Sequence, residues 1–141
     1  IDAFAGTGAL GLEALSRGAA CVSFVEHDQK ALTVLRANIN RLDMHERTTV
    51  LAADAKSLTY WSQKPASIMF ADAPYYSGAG QIALTTIQSI GGLAAGAIVI
   101  LETHKNEKLD ITLLGASDIV LIDSRVYGNT AIHFLMYKNE Y

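Results

Sequence analysis

The chain has 141 residues, 50% of them hydrophobic, with 11 basic against 14 acidic side chains and a formal net charge of −3. That is enough for a single domain, residues 1–141, with its own core, and too little for two. A mildly acidic chain does not grip nucleic acid by net charge alone, and no run of about 18 apolar residues is present to cross a membrane as a helix.

No secretory leader pattern opens the sequence. Cys21, the one cysteine, has no partner for an internal disulfide, so a cytoplasmic location is expected. Its apolar neighbourhood marks Cys21 as a small buried core residue. Ile1 is not a start residue and Asp2 already reads as the end of a strand, so a preceding segment, and hence an N-terminally truncated domain, is expected.

The stretch from Asp2 to Gly11 runs from a strand end through a glycine turn into a helix over about 9–17. Gly6 and Gly8 lack a Cβ, which permits positive φ and close approach of a ligand to the main chain. The helix start aims free N–H groups at the turn, a setting for anionic or strongly polar ligand groups. Residues 20–26 read as a short buried strand ending in Glu26. Residues 30–42 place Leu32, Leu35, Ile39 and Leu42 at helical spacing, with Asp28 as N-cap. A third strand over 48–53 ends at Asp54, a short helix over about 55–63 follows, and a fourth strand over 67–71 runs into Asp72-Ala73-Pro74-Tyr75. Beyond a glycine-containing loop at 77–80, a helix through Ile82, Leu84, Ile87 and Ile90 stops at Gly91-Gly92. Residues 97–102 form a fifth strand, and the polar stretch after Thr103 is short helix or loop. Strands over 119–123 and 131–137 close the chain around a turn at Tyr127-Gly128-Asn129. The alternation predicts an α/β, Rossmann-like fold: a mainly parallel twisted sheet with helices on both faces. The last two strands, too close for a helical crossover, predict an antiparallel pair at one edge.

Asp2, Glu26, Asp54 and Asp72 stand at the carboxyl ends of successive strands. In a parallel sheet those ends share one rim, where open α/β sheets bind ligands. Four acids suit a ligand with a cationic group, a ribose and an adenine amine. Glu26 is placed for a ribose diol, accepting from two hydroxyls. Asp54 can serve an adenine or cap the helix after it. Gly6-x-Gly8-x-x-Gly11, with Glu26 about twenty residues on, also fits a dinucleotide fingerprint, so a nicotinamide cofactor remains the alternative. His27, His45, His104 and His133 show no metal-ligand spacing, and no metal is expected.

Asp72-Ala73-Pro74-Tyr75 resembles the amine-methylating motif of class I S-adenosylmethionine-dependent methyltransferases, in which Asp or Asn precedes Pro-Pro and then Tyr or Phe. Within that class the chain resembles the RsmD family, which methylates a guanine N2 amine in small-subunit (16S) ribosomal RNA. The likeness runs through 2–19, through Glu26-His27-Asp28, through Asp54-Ala55 and through Tyr127-Gly128-Asn129-Thr130. Ala73 departs from the pattern, and a proline there would have stiffened the loop. The resemblance implies S-adenosyl-L-methionine as cofactor, held by Asp2, Phe4, Ala5, Gly6, Thr7, Gly8, Glu26, His27, Asp54, Ala55 and Asp72. It implies an amine site built from Asp72, Ala73, Pro74 and Tyr75. Asp72 and the Ala73 carbonyl would accept the amine hydrogens, and Tyr75 would stack on the base. The partner would be 16S ribosomal RNA or the small subunit, met by a monomer without metal or membrane. The motif does not separate guanine N2 from adenine N6 in DNA or another planar amine.

Overall fold

A computed structural model of the chain describes residues 1–110, 112 and 118–139. The elements are α1 (Ala9–Ser16), β1 (Val22–Glu26), α2 (Gln29–Arg41), a 3-10 turn (His45–Arg47), β2 (Thr48–Ala52), β3 (Ala66–Asp72), α3 (Ala79–Ser89), β4 (Leu93–His104), β5 (Ile119–Tyr127) and β6 (Thr130–Tyr137). The polar stretch after Thr103 that the sequence assigns to helix or loop includes 111 and 113–117, which lie outside the described residues.

Strands β1 and β2 pair in parallel, and β3, β4, β6 and β5 lie side by side in that order. Asp2 joins the two sets by bridging Phe24 on one side and Phe70 on the other, both in parallel. The sheet therefore reads β2, β1, opening segment, β3, β4, β6, β5. The pairing of β3 with β4 is parallel, and β6 runs antiparallel to both neighbours. The expected antiparallel closing pair is present, with β6 inserted between β4 and β5.

Alternation along β1 explains why helices cover both faces. Phe24 points into a core with Leu15 of α1 and Leu32, Leu35 and Ile39 of α2. Val25, the next residue, points into the opposite core with Ala83, Leu84 and Ile87 of α3 and Met69, Val99, Leu101 and Leu135 of the sheet. The Asp28 side chain caps α2 by accepting from the Ala31 N–H at 2.8 Å, as its spacing predicts.

Two expectations fail. No helix forms over 55–63: Lys56 N–H bonds the Asp54 side chain at 2.9 Å and Ser57 N–H bonds the Asp54 carbonyl, a tight turn that is not propagated. Leu58 and Trp61 reach the core from irregular chain. Cys21 is exposed, because β1 begins one residue later. The helix expected through Ile82, Leu84 and Ile87 is α3, which seats Ala79, Gly80, Ala83, Leu84 and Ile87 inward and leaves Ile82 half exposed.

Candidate active site

The glycine turn divides its labour. Gly6 takes φ +56° and a Cβ there would meet nothing within 4 Å. Gly8, at φ +85°, is backed by the Leu35 side chain, and a Cβ on Gly11 would run into the Phe24 ring and Val22. Gly8 and Gly11 are thus demanded by the packing of α1 on β1 and α2, and only Gly6 opens on free space.

Asp2 is 1% exposed and turns beneath this loop. Its Oδ2 accepts from the Gly11 N–H at 3.1 Å, and Oδ1 has no hydrogen-bond partner among the described residues. Burial pushes its carboxyl up to about 6, against the pull of the Gly11 N–H. The start of α1 therefore already faces an anion from its own chain. Asp2 does not join the other strand-end acids on the open rim: pairing on both sides turns its side chain under the turn.

Glu26, Asp54 and Asp72 do converge. They line one cavity of about 330 Å3 with Phe4, His27, Ala55, Lys56 and Pro74. The volume sits at the low end for small-molecule sites. Glu26 is held by the turn it faces: Oε1 accepts from Gly6 N–H at 2.8 Å, and Oε2 from the N–H groups of His27 and Asp28, each at 2.9 Å. A carboxylate has about four acceptor positions, so one remains on Oε1. The internal bonds therefore take three of the positions that two ribose hydroxyls would share. Lys56 approaches Asp54 at 3.8 Å.

Of the remaining predicted residues, Ala5 is buried, Thr7 is exposed with its carbonyl taken by the Asn38 side chain at 2.8 Å, and Ala73 is buried, so none of the three lines this space. Gly6, Gly8 and Tyr75 are not in its wall either. Tyr75 stands just past the rim, 39% exposed. Its hydroxyl donates to Glu102 Oε1 at 2.9 Å and accepts from Thr130 Oγ1 at 2.6 Å.

Residues the motif reading leaves out complete this side. Glu102 is the register partner of Asp72 across β3 and β4. Burial, then the Glu102 charge, pushes the Asp72 carboxyl above its ordinary range. Tyr76 sits in the left-handed region at φ +59°. It is held there by Glu107, whose Oε1 accepts from its N–H at 2.7 Å, and by a hydroxyl bond to His104 Nδ1 at 2.7 Å. The sequence reading ends the fifth strand at Glu102, so the strand-end rule that flags Glu26 and Asp72 reaches Glu102 as well, although β4 itself runs on to His104. Among the described residues no three His, Cys, Asp or Glu side chains gather to hold a metal, and no helix is long and apolar enough to cross a membrane.

The family model described as conserved hypothetical protein 95 matches residues 1–136. The chain is 30% identical over 138 residues to ribosomal RNA small subunit methyltransferase D of Haemophilus influenzae, covering 92% of this chain and 70% of that protein. It is 33% identical over 106 residues to the protein of the same name in Escherichia coli K12, covering 74% of this chain and 52% of that one. The chain thus spans between half and three quarters of these two relatives. Among solved structures, HI0767 of H. influenzae matches at 25% identity with a TM-score of 0.86, over 98% of this chain and 85% of that one. The E. coli protein yhhF matches at 30% identity with a TM-score of 0.83, over 99% and 75%.

Proposed function

This chain belongs to the conserved hypothetical protein 95 family, and from that membership we propose that it transfers a methyl group from S-adenosylmethionine to the N2 amine of a guanine in small-subunit ribosomal RNA. The observation that carries the reading is a single shared cavity: Glu26 and Asp54 wall it on one side, Asp72 and Pro74 on the other. The groups we assign to the cofactor and to the amine would then open into the same space. The relatives named as small-subunit ribosomal RNA methyltransferases supply the substrate class.

The donor set fits the cofactor. Three carboxylates with a single lysine suit a cationic ligand, and the free position on Glu26 suits a ribose hydroxyl. The buried carboxylate at the start of α1 argues against a dinucleotide, whose pyrophosphate would need that helix end for itself. When bound, the cofactor supplies an electrophilic methyl on a sulfonium. The chain supplies position. Asp72 and the Ala73 carbonyl accept the two hydrogens of the target amine and turn its lone pair toward the methyl. Tyr75 offers its ring to the base, a contact worth roughly 1–3 kcal/mol in comparable sites. The base must leave its stack to reach this rim. Holding both partners in line accounts for most of the acceleration.

The test is methyl transfer by the complete protein to undermethylated small subunits, to naked ribosomal RNA and to DNA, with the modified base identified by mass. N2-methylguanine in the RNA is expected. Methyl incorporation into adenine of DNA alone would move the activity to the neighbouring class.

A further inference from the structure

We propose that Glu102 is a positioning residue for methyl transfer, one that orients Tyr75 and pairs with Asp72 so that the two carboxylates together take the proton the amine releases. This rests on the function proposed above. The step balances: the amine lone pair forms the N–CH3 bond, the C–S pair returns to sulfur as a neutral thioether, and the N–H proton passes to Asp72.

Glu102 lies beside Asp72 in the β3–β4 register, so their side chains leave the sheet on the same face. Its Oε1 takes the Tyr75 hydroxyl at 2.9 Å, and Thr130 from the start of β6 closes the far side at 2.6 Å. Two adjacent carboxylates bind a proton more readily than one. Among the described residues neither is in an ion pair. The pair is therefore free to meet positive charge that arrives with a ligand or develops on the amine.

The same strand end restrains the neighbouring tyrosine. A single Glu107 oxygen accepts from the N–H groups of Tyr76 and His104, at 2.7 and 2.9 Å. This supplies restraint at a loop where Ala73 leaves out a second proline. The titratable and charged groups around the pair are Asp2 from the opening segment, Glu26, Asp54 and Lys56 in the shared cavity, Tyr75 from the loop, and His104 from the end of β4 with Glu107 beyond it.

The experiment uses Glu102→Gln and Tyr75→Phe in the complete protein. Glu102→Gln keeps an acceptor for Tyr75 and removes the charge. It is expected to lower kcat for methyl transfer to small subunits by tenfold or more, to leave KM and S-adenosylhomocysteine affinity within about twofold, and to move the acid limb of the kcat profile to lower pH. Carbon NMR of the Asp72 carboxyl should show its titration moving to lower pH in the same variant. Tyr75→Phe should lower kcat less and leave the limb in place. An unmoved Asp72 titration, or an unchanged kcat with an unchanged limb, overturns the proposal. Absence of transfer by the wild-type protein overturns the function instead, and the NMR titration still reads the carboxylate pair.

Discussion

At Asp2 the chain buries a carboxyl with one oxygen held by the Gly11 N–H and the other without a partner among the described residues. Its pKa rises from the ordinary 3.8 to about 6. Between those values the folded chain holds a proton that the unfolded chain has lost, so stability falls as pH rises and levels off above about 6. Two units correspond to about 3 kcal/mol. Asp2→Asn keeps an acceptor for Gly11 and lacks that slope. Its stability relative to wild type, from urea midpoints, should therefore improve by about 2 kcal/mol between pH 4 and pH 7.5, the rest having been lost below pH 4. A difference that stays constant with pH would show that the carboxyl titrates normally. The sequence made Asp2 legible as a strand-end acid, but not its direction. Direction depends on which neighbours pair with the opening segment, and Phe24 and Phe70 are both distant in sequence. For Glu102 the sequence shows a strand-end acid but not its place opposite Asp72, because register is a property of two strands.

Among the elements, α1 tests the meaning of the glycine pattern. The spacing Gly6-x-Gly8-x-x-Gly11 reads alike whether the glycines admit a ligand or admit a neighbouring side chain. Here Gly11 meets the Phe24 ring and Val22 of β1. Gly11→Ala, favourable by helix propensity alone, should therefore destabilise the fold by about 1–3 kcal/mol through overpacking. A urea midpoint measures this; an unchanged or raised midpoint would place the Phe24 contact elsewhere. Elements with long periodic patterns were legible: α2 keeps Leu32, Leu35 and Ile39 inward and Asp28 at its cap. The missing helix over 55–63 shows the limit. Ala55, Leu58 and Trp61 have near-helical spacing, but a stretch this short nucleates poorly without support. Asp54 instead spends its cap on a single turn. The edge strand β5 also ran longer than its apolar signal, since pairing with β6 carries it through Asp123, Ser124 and Arg125 to Tyr127.

For the molecule as a whole, the site lies where its parts meet. The opening segment joins β1 to β3, one core lies on each face, and the cavity draws Glu26 from one side of that joint and Asp72 from the other. A ligand that contacts both sides binds only the assembled sheet, so its binding energy adds to the stability of the entire fold. At a hundredfold excess over its dissociation constant, S-adenosylhomocysteine should stabilise the chain by about 2.7 kcal/mol. A domain of this size converts that into a Tm rise of several degrees. NAD should give no such rise, because its pyrophosphate would approach a helix start already facing the Asp2 carboxylate. The discrimination should hold at pH 7.5, where Asp2 is ionised, and calorimetric scans with each ligand measure it. A rise with NAD equal to that with S-adenosylhomocysteine would mean that the turn accepts an anion despite Asp2. The cavity between Glu26 and Asp72 would then have to be read as a dinucleotide site.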